Sequence, residues 1–189
     1  MESIAVAVLQ PDAPVPESWV LELAKAARVD PCRLRLILVP QDSVAGCTQI
    51  AGRSNENIIL TLVRSMGYDA GKVRRILGSS PICPVYRGPG KILLPDDLLH
   101  YAGECFLTLA AAPEDDVQKL AQDLCFASLD IYGSLFADLL EAADWDFYKI
   151  PNISHINKLA RVSINDETAG KAYCAGEPDE SLLRPYLVQ

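Results

Sequence analysis

The sequence predicts an α/β or α+β fold with a mixed sheet, and three observations carry that prediction. The first forty residues run strand, helix, strand. The segment from Thr48 to Met66 repeats its apolar residues at helical spacing. Near the C-terminus, two alternating stretches flank a turn and read as a hairpin.

Ile4–Leu9 is apolar and short enough for a buried strand, and it stops at the proline-rich stretch Pro11-Asp12-Ala13-Pro14-Val15-Pro16. Pro16-Glu17-Ser18 opens a helix over Trp19–Ala27, with Val20, Leu23, Ala24 and Ala27 on one face. Asp30-Pro31 breaks it, because the residue before a proline avoids helical dihedrals. Leu34–Val39 is β-rich and ends at Pro40, so the first unit is a crossover with parallel pairing.

A turn through Asp42–Gly46 leads to the long helix over Thr48–Met66, stopped by Gly67 in the C′ position. Its apolar stripe is Ala51, Ile58, Ile59, Leu62, Val63 and Met66, with Gln49, Arg53 and Glu56 on the opposite side. Val73–Leu77 is a strand candidate. The two prolines of Gly78–Pro84 mark a rigid turn, and the Gly and Pro content of Tyr86–Pro95 marks a loop. Cys105–Ala110 is a strand, Glu114–Leu124 and Leu135–Ala143 are helices, Leu159–Ile164 and Lys171–Cys174 form the hairpin around Asn165–Gly170, and Asp179–Leu187 adds a last helical turn or two.

The 189 residues, half of them hydrophobic, suffice for one domain with a substantial core. No apolar run reaches the length of a membrane span, and Met1–Leu9 lacks the basic start and long apolar core of a signal peptide. A net charge of -8, from 17 Lys+Arg against 25 Asp+Glu with no basic block, argues against nucleic acid as a partner. Six cysteines without a CxxC pair sit mostly in apolar surroundings and read as buried, reduced thiols, which implies the cytoplasm. With only His100 and His155 to supplement them, no metal site is expected.

Local motifs carry little chemistry by themselves. Arg53 and Glu56, three apart on a helix, can meet. A solvated ion pair is the plainer reading of that spacing. The sharper one is a carboxylate whose proton affinity a guanidinium tunes in a cleft, which makes a general base or acid. Gly78-Ser79-Ser80-Pro81 reads either as a structural turn or as backbone N–H groups presented to an anion. His100 is expected in the core and His155 on the surface, neither with a catalytic role. No GxGxxG, Walker loop, GxSxG or HExxH is present.

Val29-Asp30-Pro31, Pro40–Gln49, Ile50-Ala51-Gly52-Arg53-Ser54-Asn55-Glu56, Pro81-Ile82-Cys83-Pro84-Val85, Asp146–Ile150 and Gly170–Tyr173 with Ala175-Gly176-Glu177 stand out as a set. Together they resemble the methenyltetrahydromethanopterin cyclohydrolase family. The resemblance is to the C-terminal part of that enzyme, so residues 1–189 are expected to form a single cyclohydrolase-like α/β domain without the family's N-terminal one. It implies a hydrolase that adds water to the cationic methenyl bridge of a tetrahydromethanopterin-type pterin and opens the ring to a formyl group, with no cofactor required. By the same match Arg53 and Glu56 are catalytic, and Gln49, Ser43, Pro81, Cys83 and Asp97 bind substrate. Two segments depart from the family pattern. Leu94-Pro95-Asp96-Asp97 stands where members usually carry Arg/Ser-Thr-Asn-Asp, and Leu129–Phe136 replaces a stretch with more basic groups. The alternative is a non-catalytic half-length paralogue that binds a pterin or a protein partner in the same one-carbon metabolism. Apolar surface left by a missing domain predicts a homo-oligomer or a complementary partner chain.

Overall fold

The computed structural model describes residues 3–11, 13–85 and 93–187. They gather into two compact units, Met1–Cys47 and Thr48–Gln189.

In the first unit β1 (Ala5–Leu9) and β2 (Leu34–Leu38) pair in parallel, Ala5 opposite Leu34 and Leu9 opposite Leu38, with α1 (Glu17–Ala27) as the crossover. This is the strand, helix, strand order expected. Arg28 ends α1 in the left-handed region, at φ 57°. Asp30 accepts from the Cys32 N–H at 2.9 Å and starts the short turn Pro31–Arg33. Gly46 is required where it stands, because a Cβ there would collide with the Pro40 carbonyl oxygen.

The second unit is built on a four-stranded mixed sheet in the order β3 (Val73–Ser79), β4 (Glu104–Leu109), β5 (Arg161–Asp166), β6 (Lys171–Gly176). The outer pairs are antiparallel and β4–β5 is parallel. One face carries Cys105, Leu107, Leu109, Val162 and Ile164 into a core shared with Ile58, Leu62, Leu99, Leu120, Leu124 and Leu159. The other face leaves Leu77 and Phe106 exposed.

The helix expected as one piece over Thr48–Met66 is three. α2 (Val44–Ala51) begins earlier, the chain breaks at Gly52-Arg53, and α3 (Ser54–Leu60) continues into a wider π turn at Thr61–Ser65. Gly52 is the weakest helix former in the run, and the Ser54 hydroxyl takes up the freed Ala51 carbonyl at 3.1 Å. The π turn changes the angular step per residue, so Leu62 is buried while Val63, expected on the same stripe, is 39% exposed. Gly67 closes the segment at φ 65°, as its position predicts.

Other boundaries moved for local reasons. Asp116 caps α5 (Val117–Asp123) by accepting from Lys119 N–H, so the helix starts later than Glu114. Gly78 and Ser79 belong to β3 rather than to a turn. Asn165 and Asp166 belong to β5, and Leu159 lies before that strand. The loop expected over Tyr86–Pro95 lies outside the described residues as far as residue 92, and Pro95 opens a helix that pattern reading misses, α4 (Pro95–Ala102). Helices α6 (Phe136–Ala142) and α7 (Glu180–Leu187) complete the unit close to their expected places.

All six cysteines are free. Cys47, Cys83, Cys105 and Cys125 are buried, whereas Cys32 and Cys174 are exposed, a correction for those two. Burial pushes the Cys105 and Cys125 thiols up to about 12 and about 11. Hydrogen bonds from Ser163 and Arg161 hold the Cys174 thiol below its ordinary value. A disulfide reagent should therefore titrate two thiols in the native protein, Cys174 first, and the remaining four only on unfolding. More than two fast thiols would contradict this packing.

Candidate active site around Arg53 and Glu56

The break at Gly52 decides where Arg53 stands. Instead of continuing a helix, Arg53 occupies the N-cap position of α3 and Glu56 its third residue. Arg53 Nε donates to Glu56 Oε2 at 3.1 Å and Nη2 donates to Oε1 at 3.4 Å, a two-pronged contact. The two side chains are 41% and 58% exposed, so the pair adds little to stability and is open to a solute. Glu56 raises the proton affinity of Arg53 further, by its hydrogen bond and its charge.

A close approach fixes this element. A Cβ on Gly78 would lie 2.6 Å from both Ser54 Cβ and Asn55 Oδ1 and 3.1 Å from Asn55 N, so the end of β3 packs directly on the first turn of α3. Asn55 Oδ1 is buried there without a hydrogen-bond partner, the one such side-chain atom among the described residues.

The predicted substrate-binding residues are placed diversely. Gln49 is exposed on α2, in the same stretch as the pair. Ser43 lies in the first unit, where its hydroxyl donates to Pro40 O at 2.6 Å and accepts from Gly46 N at 3.0 Å, capping α2. Pro81 lines a concavity of about 500 Å³ with Leu98, Ala102, Pro178 and Leu183; Arg53 and Glu56 are not in its wall. Cys83 is buried, its thiol 3.6 Å from the carbonyl oxygens of Pro84 and Leu93.

Asp97 is wholly buried. Its Oδ2 accepts from Leu94 N at 2.8 Å, closing the first turn of α4, and its Oδ1 accepts from Phe136 N at 2.6 Å, tying α4 to α6. Both oxygens are engaged by main chain, a placement that makes Asp97 a structural cap. Its neighbour Asp96 is the group that sequence reading passed over. Asp96 and Arg53 feel one another's charge, while burial pushes the Asp96 carboxyl above its ordinary value. The signal available was Pro95 followed by two acids, a helix start.

His100 is a core residue, stacked on Phe126 at 4.3 Å and held by burial at about 3, hence neutral. His155 is exposed on a short turn. Among the described residues no group of three or more His, Cys, Asp or Glu stands together to hold a metal ion. No helix among them is long and apolar enough to cross a membrane.

A charged pair at a helix joint above a mixed sheet is found here within a chain of the cyclohydrolase class: the family model described as Cyclohydrolase (MCH) matches residues 1–186. The match runs through both compact units. Methenyltetrahydromethanopterin cyclohydrolase of Methanothermobacter marburgensis is 31% identical over 184 residues, covering 95% of this chain and 56% of its own length. The Methanocaldococcus jannaschii protein of the same name is 32% identical over 166 residues, covering 87% of this chain and 51% of its own. That of Methanococcus maripaludis is 29% identical over 185 residues, covering 97% and 57%. The chain belongs to the methenyltetrahydromethanopterin cyclohydrolase family and spans about half the length of these relatives.

Burial pushes the Asp97 carboxyl up to about 7, above its unfolded value. A carboxyl raised on folding stabilises fully below its unfolded pKa and loses that contribution as pH climbs through the folded one. The stability gap between wild type and Asp97→Ala should therefore narrow between about pH 4 and pH 7, from a cost of about 2–4 kcal/mol for two stranded main-chain donors. Thermal melts across that range measure it, and a gap that widens with pH would contradict it.

Proposed function

We propose that this chain is a cyclohydrolase-type hydrolase that converts a methenyl-tetrahydropterin of the methenyltetrahydromethanopterin class to its formyl form. The observation that carries the reading is the two-pronged Arg53–Glu56 contact, pinned at a helix joint and open to solute. The bridging carbon of such a substrate sits between two nitrogens and already bears positive charge. What the reaction asks of a protein is a placed water, a base for its proton and orientation of the ring.

In this reading Glu56 accepts the proton as water oxygen bonds to the bridge carbon. One carbon–nitrogen bond then breaks, the freed nitrogen keeps the electron pair and takes a proton, and the added hydroxyl gives one up to become the formyl carbonyl, so the net proton released is the one Glu56 took. Arg53 holds the carboxylate in one rotamer through its two-pronged contact. Asp96 adds a second carboxyl within reach of Arg53's field. An acidic chain suits a cationic ring system and disfavours a polyanion. Gln49, on the same stretch as the pair, is assigned to the wall of the substrate site.

Residues 1–189 are read as one cyclohydrolase-like portion, since the family match crosses both units. No cofactor is assigned, and the pterin is the small-molecule partner. A second copy of the chain or a complementary chain completes the surface. Six free thiols support a reducing, cytoplasmic setting.

Purified chain mixed with methenyl-tetrahydromethanopterin should remove the methenyl absorbance. Glu56→Gln should slow that loss about 10²–10⁴-fold with little change in melting temperature. Activity unaltered by Glu56→Gln would remove the proposed base. Tight pterin binding without turnover would instead favour the non-catalytic paralogue.

A further inference from the structure

The uncovered face of the four-stranded sheet is organised in rows set by register. The central row is Leu77 opposite Phe106, Phe106 opposite Ser163, and Ser163 opposite Cys174. Leu77 is 63% and Phe106 51% exposed, two large apolar side chains side by side on adjacent strands. They line a concavity of about 500 Å³ together with Arg75, Thr108, Arg161, Asn165 and others. A sheet with one apolar face in the core and a second apolar row open to water is unfinished.

The charges flanking that row are placed symmetrically. Arg75 stands two residues from Leu77 along β3, opposite Thr108, and lines the same concavity. Glu104 stands two residues from Phe106 along β4 in the other direction, opposite Ser79. With about 6.7 Å per two residues and about 4.8 Å between strands, the midpoint of the Arg75–Glu104 diagonal falls between Leu77 and Phe106. A two-fold axis lying in the plane of the face through that midpoint sets Leu77 and Phe106 over their own counterparts. The same axis brings Arg75 of each copy over Glu104 of the other. Arg161 stands 4.0 Å from Glu104 within one chain, a long contact, and the Glu104 side chain remains 29% exposed.

We infer that this sheet face is a self-complementary interface on which a second copy of the chain docks, with a Leu77–Phe106 centre and two Arg75–Glu104 ion pairs at its rim. The register makes both halves of each ion pair available on one surface, which is what an isologous contact requires. The pairing resembles aligned sheet-on-sheet packing, and its apolar centre with charged border follows the anatomy of stable interfaces. The inference deepens the oligomeric part of the reading above and needs no turnover, so its failure and the failure of the cyclohydrolase assignment are separately visible.

The test is the mass of the purified chain by sedimentation equilibrium, beside its circular dichroism. A species of twice the 20.6 kDa chain mass is expected. Phe106→Asp should give a folded monomer, since the side chain it replaces is on the open face. Arg75→Glu and Glu104→Arg should each weaken the dimer about tenfold or more by setting like charges together. Mixing those two single variants should restore association, because each cross-chain contact then regains opposite charges. A wild-type monomer at high micromolar concentration would overturn the inference. So would a dimer that survives Phe106→Asp, or two charge variants that fail to recombine.

Discussion

The close approach of Gly78 to Ser54 and Asn55 is the constraint on which the candidate site of the second unit rests. A strand end and a helix start approach each other here too closely for any side chain on the strand. The break at Gly52 sets where α3 begins, and the close approach of Gly78 seats the first turn that carries Glu56. Asn55 Oδ1 goes without a hydrogen-bond partner at this place, a cost that the surrounding packing of Ile58 and Leu62 must offset. The charged pair is thus positioned by main-chain geometry and core packing, not by its own attraction, which at this exposure is weak.

Around that joint the structure separates two kinds of acid. Asp97 is spent on architecture, with both oxygens closed off by the N–H groups of Leu94 and Phe136, and it binds α4 to α6. Glu56 is bound on one side by a guanidinium and open on the other. Asp96, between them in character, is raised by burial and lowered by Arg53. The adjacent carboxyls of Asp96 and Asp97 are both raised by burial, a rise opposed at Asp96 by the Arg53 guanidinium and at Asp97 by main-chain N–H groups.

The sheet shows a similar division. Period-two alternation sends Cys105, Leu107 and Leu109 into the core and Phe106 and Thr108 to the open face. Because β4 lies inside the sheet, between β3 and β5, the exposed Phe106 cannot be blunted by moving an edge, and its row with Leu77 remains a coherent apolar feature.

The strands and the crossover of the first unit were legible in the chain itself, because alternation and strand–helix–strand order depend on neighbours along the sequence. The family and the Arg53–Glu56 spacing were legible for the same reason. What the chain could not announce were the break that sets Arg53 at a helix start, the short helix at Pro95 behind a Gly- and Pro-rich stretch, and the phase change that exposes Val63. Nor could it tell Asp96 from Asp97, since adjacent acids look alike until one is sealed by main-chain donors from a residue 39 positions away. Local propensity wrote the elements; long-range packing chose which side chains were buried, which were free to meet a ligand, and what each carboxyl's surroundings did to its proton.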